Sequence, residues 1–362
     1  MSERKGKVQT VVGLVEPDTI GITHMHEHII INYLDFYEEP TQQDLKDACC
    51  CHSSNDTRQL HTEKIAVDNL HWINYNYNKN LHNLELNEID VALRELALFK
   101  NQGGNTIVEV TTGGIGRDPT KLKTVSEQSK LNIVMGAGYY VDKTIRKLIQ
   151  DKSEQEIEDE IVRQLLEGAD GTDIKAGIIG EVGCSWPLTE CEKKSLRASA
   201  RAQKRTGVSI TIHPGRSRIA PLQILEIIKE AGGDLSRVVI GHLDRTVHDI
   251  EMLLEIAKTG CVLEYDLWGM EISYYPWGGD VIGMLNDNQR IEAIAQLIDA
   301  GHAKQIVVAH DVYTKHRLVT YGGHGYHHIL HKILPRMKKY GISDENIKEI
   351  LINTPKRLLT IQ

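Results

Sequence analysis

Short apolar segments rich in β-branched residues alternate along the chain with longer segments in which apolar residues recur every three or four positions. The short segments predict eight strands, within 21–28, 106–110, 131–135, 176–181, 208–213, 237–242, 261–265 and 305–310. Helical patterns lie between most of them, at 89–100, 153–166, 189–205, 219–230, 247–258 and 288–300, and a last packing helix is expected after Ser343. Strands that alternate with helices predict a parallel sheet, and eight such units are the count of a closed (β/α)8 TIM barrel.

Two features of the pattern refine this α/β prediction. Ser153 with Glu156 and Thr189 with Glu192 have the spacing of capping boxes, which supports two of the helix starts. An open doubly wound sheet is the alternative fold, but the glycine-rich stretches at 113–116 and 136–138 do not fit the Gly-x-Gly-x-x-Gly phosphate loop. The closed barrel is therefore the preferred architecture.

The segment 35–87 interrupts the alternation directly after the first strand. It is rich in Asn, His, Tyr and Asp and has little periodicity, so we interpret it as an insertion within one domain that spans 1–362. Its apolar stretch at 69–75 is compatible with a mobile lid over a site, and a purely structural excursion is the alternative.

The composition restricts the class of protein. Of 362 residues, 41% are hydrophobic and 25% are charged, as in ordinary globular chains, and the net charge of −8 gives no electrostatic basis for binding nucleic acid or an anionic membrane. Neither a secretory signal nor a bilayer-spanning apolar run is evident, so a cytoplasmic protein is expected. The six cysteines are interpreted as reduced, because three adjacent ones make a poor disulfide framework for a chain this long. A thiolate metal site at 49–52 is not favoured, since it would lack both the Cys-x-x-Cys spacing and a second half.

Histidines on alternate positions of the first strand are the candidate chemistry. Alternate side chains of a strand point to one face, so His24, His26 and His28 are expected to converge, and neutral imidazole is a common metal ligand. A His-x-His pair by itself is more often structural than ligating. Further ligand-type residues follow separate strands at their carboxyl ends, where barrel enzymes assemble their sites; they are Glu181, His213, His242 and Asp311. Together with His26 and His28 they predict a site for one divalent ion, or for two that share a carboxylate.

Several motifs place these residues in a known context. The chain resembles the phosphotriesterase branch of the amidohydrolase superfamily over nearly its whole length. The resemblance rests on the segments around His26-Glu27-His28, at 177–189, at Ile212-His213-Pro214-Gly215-Arg216, at Gly241-His242-Leu243-Asp244-Arg245-Thr246, and from 309 to 326. It implies a (β/α)8 barrel with two divalent ions. One ion would be held by His26, His28 and Asp311 and the other by His213 and His242, with Glu181 as the bridge. Zinc is expected, although such a ligand set also accepts manganese, cobalt or iron.

The resemblance also has implications for the reaction. Bacterial phosphotriesterases look similar but bridge their ions with a carboxylated lysine, and Glu181 at that position argues against efficient organophosphate hydrolysis. The implied reaction is amide hydrolysis of small N-acyl amino compounds, with N-acetyltaurine as the expected substrate. Asp311 is the hypothesis for the catalytic group that takes a proton from the attacking water and returns it to the leaving amine. His24 is interpreted as a residue of the barrel interior that points the same way as His26 but lies deeper.

An anionic, small-molecule N-acyl substrate needs cationic partners near the barrel mouth. The candidates are Arg216, Arg245, Lys315 and Arg317, with Tyr139 as a further lining residue. The alternative for each cation is a structural pair with a loop carboxylate, and Glu109 and Glu264 are expected to pair with such basic groups. Trp268 could line an apolar part of the pocket or simply pack.

Two other functions stay open at this point. Within the enzyme class, phosphotriester or lactone hydrolysis is the alternative. Outside it, a barrel without catalysis that acts as a binding module would need the same fold. A homodimer is kept as the candidate assembly.

Overall fold

The fold is taken from a computed structural model, which describes residues 3–48, 59–272, 275 and 283–362. The 49–52 stretch with three adjacent cysteines lies outside the described residues.

Eight parallel strands form the sheet at the centre of the molecule. They are β1 (Ile22–Glu27), β2 (Gly104–Glu109), β3 (Asn132–Ala137), β4 (Ile178–Gly183), β5 (Ile210–His213), β6 (Val238–Ile240), β7 (Val262–Tyr265) and β8 (Ile306–Val308). Each strand pairs with the next in chain order. Just past β8, Asp311 donates its backbone N–H to the carbonyl oxygen of His26 at 3.2 Å, which joins the last strand to the first. The prediction of a (β/α)8 TIM barrel is confirmed.

The α-helices lie between and after the strands. Their bounds are Gln42–Ala48, Leu70–Tyr75, Ile89–Asn101, Pro119–Ser129, Asp142–Ile149, Glu154–Leu166, Glu190–Thr206, Ala220–Glu230, Leu243–Thr246, Ile250–Lys258, Asp287–Asp299, Leu334–Lys339, Asp344–Lys348 and Thr354–Leu359. Each helix predicted between strands is present within a few residues of its expected bounds, and the helices at 119–129 and 142–149 were missed. None of the helices formed by the described residues combines the length and apolar content that crossing a bilayer requires.

Capping explains why two helices of the outer layer begin where they do. The hydroxyl oxygens of Ser153 and Thr189 accept hydrogen bonds from the backbone N–H groups of Glu156 and Glu192. The two glutamates accept hydrogen bonds from the backbone N–H groups of the capping residues in return. Both predicted capping boxes are confirmed, and they satisfy N–H groups that a helix start otherwise leaves unpaired.

The barrel interior is filled by one apolar layer beneath its carboxyl-terminal end. Buried side chains from the strands pack there against one another, namely Met25, Val108, Val134, Ile178, Val239, Val262 and Val307. These side chains form a floor beneath the carboxyl-terminal end of the barrel, where barrel enzymes assemble their sites.

A bulge in β1 changes which side chains face inward. His24 pairs with Ile107 and Glu27 pairs with Glu109, so three steps on β1 match two steps on β2. His24 therefore faces outward, with its ring 4.6 Å from that of Phe99 in the surrounding helical layer. The prediction that His24 lies inside the barrel on the same side as His26 is wrong, because the bulge breaks the alternation from which it was derived.

The insertion is anchored at both ends of its described part. Ile31–Asn32 pairs in antiparallel fashion with Glu85–Leu86, which brings the two ends of the segment together. Tyr77 stacks on Tyr275 with ring centroids 5.4 Å apart, and Tyr275 lines the cavity at the barrel mouth. The insertion thus packs onto one wall of that cavity.

Candidate metal centre

The six ligand-type residues predicted from the sequence meet at the carboxyl-terminal end of the barrel. His26, Glu181 and His213 end or nearly end their strands, whereas His242 and Asp311 follow β6 and β8 by two and three residues. Both adopt left-handed backbone conformations, with φ of 53° for His242 and 50° for Asp311. Such conformations cost free energy for residues other than glycine and concentrate at functional sites, so the tertiary structure must hold these two turns in place.

Glu181 is at the centre of the cluster. Its Oε1 lies 3.2 Å from His28 Nε2, and its Oε2 lies 3.1 Å from His213 Nδ1. The same Oε2 lies 3.4 Å from His26 Nε2 and 3.5 Å from His242 Nε2. One carboxylate therefore contacts all four imidazoles, with Oε1 beside His28 and Oε2 shared by the other three.

Asp311 completes one half, and two imidazoles form the other. Asp311 Oδ1 lies 3.2 Å from His28 Nε2 and 3.9 Å from His26 Nε2. On the opposite side of Glu181, His213 Nδ1 and His242 Nε2 are 2.8 Å apart. The cluster thus has the two-part arrangement that a pair of neighbouring ions would need.

The donor set fits divalent cations. Donors bound tetrahedrally at about 2.0–2.1 Å from zinc stand about 3.3 Å from each other, close to the separations around Glu181. His26 Nε2 is buried and has no hydrogen-bond partner among the described residues, although it faces two carboxylates. A buried nitrogen without a partner is costly, and a bound cation would satisfy it.

Side chains behind the imidazoles determine which ring nitrogen is available. Glu264 Oε2 lies 3.2 Å from His26 Nδ1, and Asp266 Oδ1 lies 2.8 Å from His242 Nδ1. Each carboxylate can only accept, so both imidazoles carry their proton on Nδ1 and keep Nε2 free for a metal. Sequence reasoning missed Asp266, although its position two residues past Glu264 on β7 could have indicated a shared face.

His28 is oriented through a hydroxyl group. Thr111 Oγ1 donates to Glu109 Oε1 at 2.5 Å, and so it must accept from His28 Nδ1, 2.8 Å away. The expectation that Glu109 and Glu264 pair with arginine or lysine is wrong, because both are buried behind the ligand histidines.

The electrostatic balance of the centre favours a cation. Burial by itself would lower the pKa values of His28 and His242, but neighbouring carboxylates raise both to about 9, Asp311 and Glu181 beside His28 and chiefly Asp266 beside His242. Burial also raises the pKa of Glu264 to about 7, although the hydrogen bond from His26 favours the ionised carboxylate. A group of carboxylates with too few fixed positive charges around it is the environment in which a metal ion replaces protons.

A cavity of about 240 Å³ opens above the cluster. Its floor includes His28, Glu181, His213, His242 and Asp311. Arg216 and Arg245 form part of one wall, on the loops after β5 and β6, as predicted. On the other side of the barrel, the loop after β1 contributes Ile31, Tyr33 and Phe36, and the loop after β3 contributes Tyr140 and Val141. The cavity therefore has two arginines on one side and mostly apolar and aromatic side chains on the other, where Lys143 Nζ lies 5.0 Å above the Phe36 ring.

The two wall arginines are positioned differently. Arg245 is buried, and its Nη2 lies 3.1 Å from the carbonyl oxygen of Pro214 and 3.2 Å from His213 Nε2. The guanidinium of Arg216 stacks on Tyr275 at 4.5 Å and donates to the Tyr275 carbonyl oxygen at 3.2 Å. Arg245 thus stands beside the half of the cluster that His213 and His242 form, whereas Arg216 is held against Tyr275 in the cavity wall.

The other two predicted cations do not line the cavity. Lys315 is buried with its Nζ 3.1 Å from Glu88 Oε1. Arg317 Nη2 donates to the backbone carbonyl oxygens of His310 at 2.8 Å and Trp268 at 3.0 Å. The expectation that Lys315 and Arg317 contact substrate is wrong, since the short helical turn at 315–317 directs both side chains into the protein.

The tyrosine that lines the cavity is the neighbour of the predicted one. Tyr139 is buried away from the cavity, under Lys152 at 5.9 Å, whereas Tyr140 lines it and places its hydroxyl 3.2 Å from His213 Nδ1. The preceding Gly138 has φ of 101°, a conformation that breaks the alternation of β3. Counting along the strand therefore selects the wrong tyrosine. Trp268 is fully buried and packs, as its alternative interpretation held.

The barrel and its cluster of histidines and carboxylates define a class of protein. Residues 6–359 match the Phosphotriesterase family, and the chain belongs to this family of metal-dependent hydrolases.

The names of its relatives specify a substrate. The chain is 63% identical to an N-acetyltaurine hydrolase of Dictyostelium discoideum and 46% identical to an N-acetyltaurine hydrolase of Homo sapiens, with all of both chains covered in each case. Among solved structures, a resiniferatoxin-binding protein from Rhodobacter sphaeroides superimposes with a TM-score of 0.90 at 34% identity, over 98% of this chain and 95% of that one.

Proposed function

We propose that this hydrolase cleaves the amide bond of N-acetyltaurine to give acetate and taurine. The observation that carries the proposal is the combination of a Glu181-centred ligand cluster with an arginine wall beside it, since one would act on the carbonyl and the other on an anionic headgroup. The full-length relatives named N-acetyltaurine hydrolase support the choice of substrate.

In the proposed site, His26, His28 and Asp311 hold one divalent ion, His213 and His242 hold the second, and Glu181 bridges them. Zinc is the proposed metal. When bound, the ions lower the pKa of a water molecule toward about 7 and polarise the scissile carbonyl.

Asp311 is the proposed catalytic residue for proton transfer. It lines the cavity floor and is 6% exposed, so its carboxylate is accessible from the cavity yet largely shielded from bulk water. It takes the proton of the attacking water and delivers it to the leaving nitrogen, without which the amine cannot depart as a neutral group.

Arg245 and Arg216 are proposed to bind the sulfonate. Within the part of the chain that the structure describes, no Asp or Glu oxygen pairs with Arg245 within 4.0 Å, so its charge is available to a ligand. Charge-assisted hydrogen bonds from a guanidinium suit a group with several anionic oxygens. The acetyl group then faces the apolar side of the cavity near Phe36 and Val141.

The test is a substrate panel assayed on purified protein of known metal content. It contains N-acetyltaurine, a neutral N-acetyl amine, a lactone and a phosphotriester. We expect turnover of N-acetyltaurine far above the other three, and loss of turnover in Asp311→Ala with at least one ion still bound. Preferred hydrolysis of the lactone or phosphotriester would assign a different reaction, and no turnover by metal-loaded protein would favour a binding module.

The cytoplasm is the proposed compartment. Cys184, Cys191 and Cys261 are free cysteines in the structure, which is the usual state under reducing conditions.

A further inference from the structure

The seam between β8 and β1 differs from the other strand junctions. Among the described residues, ladder pairing joins each of the seven other neighbouring strand pairs, and none is present between β8 and β1. This junction nevertheless separates His26 and His28, at the end of β1, from Asp311, which follows β8. The Asp311 backbone N–H donates to the His26 carbonyl oxygen at 3.2 Å here. Something besides a β-ladder must set the distance between these ligands.

Glu27 spans this seam. It lies between the two ligand histidines in sequence, is fully buried, and directs its carboxylate toward the chain after β8. Its Oε1 accepts from the backbone N–H of His310 at 2.8 Å and from His310 Nδ1 at 2.7 Å. Its Oε2 accepts from the backbone N–H of Val312 at 3.2 Å. The residues immediately before and after Asp311 are thus both bonded to one side chain of β1.

The position of the proton on the His310 ring follows from its hydrogen-bond partners. Ile329 donates its backbone N–H to His310 Nε2 at 3.1 Å, so His310 carries its proton on Nδ1 and donates it to Glu27. His24, Glu27 and His310 also bring three potential metal ligands within 4.8 Å of one another. With both His310 nitrogens engaged in hydrogen bonds, a chain of hydrogen bonds accounts for this group better than a further metal site.

The charges agree with this assignment. Glu27 accepts one N–H hydrogen bond from the His310 ring and two from backbone groups, and such bonds favour the ionised carboxylate. An ionised carboxylate that accepts several N–H hydrogen bonds is a strong connection, because each bond is charge-assisted.

We propose that Glu27 is a positioning residue of the metal centre, which holds Asp311 at its distance from His26 and His28 across the seam where no ladder pairs the two strands. The inference rests on the proposed two-ion site and adds a role for a residue that contacts neither metal nor substrate. It predicts that the half of the site containing Asp311 depends on Glu27, and that the half formed by His213 and His242 does not.

Glu27→Gln is the decisive variant. Glutamine has the same shape but one acceptor oxygen and one NH2 group, so whichever way the amide turns, a donor faces either His310 or Val312. The matched control is Glu95→Gln. Glu95 is equally buried and accepts from the backbone N–H groups of Val319 at 3.0 Å and Thr320 at 2.8 Å, away from the ligands.

The experiment titrates metal-free protein with Co²⁺ and follows visible absorption, together with thermal unfolding of each variant. In Glu27→Gln we expect one cobalt equivalent to bind as in the wild type and the other about 10- to 100-fold more weakly, the usual effect of losing a partner behind a ligand. Glu95→Gln should lower the melting temperature and leave both affinities and the spectrum unchanged.

Unchanged cobalt affinities in Glu27→Gln, with a melting temperature lowered as in Glu95→Gln, would reduce Glu27 to a purely structural role. Equal weakening of both equivalents would also overturn the proposal. Should Glu27→Gln not fold, His310→Ala removes the Nδ1 contact and keeps the backbone N–H, so the same selective weakening must appear there. Failure of the wild type to bind Co²⁺ would instead refute the proposed function.

Discussion

Asp266 illustrates how a residue that touches neither substrate nor metal can control the site. Besides its contact with His242 Nδ1, it accepts the His242 backbone N–H at 2.9 Å. It therefore fixes both the ring and the left-handed backbone of one proposed ligand. The Oδ2 that accepts the backbone N–H also lies 3.4 Å from His26 Nδ1.

We predict that Asp266→Asn weakens metal binding. The asparagine NH2 would face donors on His242, and mutations of such partners typically cost about 10- to 100-fold in metal affinity. Competition with a chelator of known affinity measures the effect, and Asp299→Asn on the exposed surface is the control. Wild-type affinity in Asp266→Asn would show that the backbone alone orients His242.

Arg245 should act on substrate selection and not on the chemical step itself. Replacing it by methionine removes a charge-assisted hydrogen bond, which contributes about 1.5–3 kcal/mol. In metal-saturated protein we therefore expect kcat/KM for N-acetyltaurine to fall at least about 10-fold, with little change for a neutral N-acetyl amine. Steady-state kinetics on both substrates measure this, with Arg218→Met, outside the cavity wall, as control. An equal loss on both substrates would contradict headgroup binding.

At the scale of elements, the site depends on how closely neighbouring strands approach. Gly136 on β3 faces Gly180 on β4, and a Cβ at Gly136 would lie 1.8 Å from the Gly180 carbonyl oxygen. No rotation of a side chain relieves that contact, because the carbonyl oxygen belongs to the backbone and the position of a Cβ is fixed by it. The next residue on β4 is Glu181, so the spacing of these two strands also positions the central carboxylate.

Gly136→Ala is predicted to destabilise the barrel and disturb the centre. Overpacking of this kind costs about 1–3 kcal/mol or more, and the shift of β4 should weaken metal binding as well. Gly171→Ala is the contrast, since a Cβ there meets no atom within 4 Å and only its φ of 77° is unfavourable. Urea unfolding and a metal titration measure both effects. A Gly136→Ala protein with native metal affinity would show that β4 can yield without moving Glu181.

At the scale of the whole molecule, the C-terminal part is attached to the barrel through buried charges. Asp287 Oδ2 lies 2.7 Å from His328 Nε2, and its Oδ1 accepts from Arg290 Nη1 at 2.8 Å. Burial opposes ionisation of Asp287, but His328 and Arg290 lower its pKa well below the ordinary value.

The lowered pKa of Asp287 determines how its contribution to stability changes with pH. A carboxyl group with a lower pKa in the folded state stabilises the protein at pH values above its pKa in the unfolded state, about 3.9. This contribution is lost as the pH falls toward the folded-state pKa. Asp287→Asn should therefore lose about 3 kcal/mol or more at pH 7 and show a shallower decline of stability between about pH 5 and pH 2. Thermal melts of metal-free protein at several pH values test this. Parallel declines in variant and wild type would exclude the contribution.

The sequence by itself determined the periodic features of this protein. Apolar runs and helical spacing gave the eight strands and most helices, because the two periods of 2 and 3.6 residues are local properties of the chain. The ends of the strands then indicated the six ligand-type residues, since a polar residue at the end of a buried strand is costly to bury unless it is paired or bound. The motifs around His26, Glu181, His213, His242 and Asp311 gave the family.

Only the tertiary structure decided which side each residue faces. The β1 bulge sent His24 and Glu27 outward, and the φ of 101° at Gly138 put Tyr140 instead of Tyr139 in the cavity. A single residue in an irregular conformation reverses the direction of every side chain after it, and it leaves little trace in a pattern of hydrophobic and polar positions. The sequence places Lys315 and Arg317 close to Asp311 along the chain. Only the packing shows that both side chains point away from the cavity.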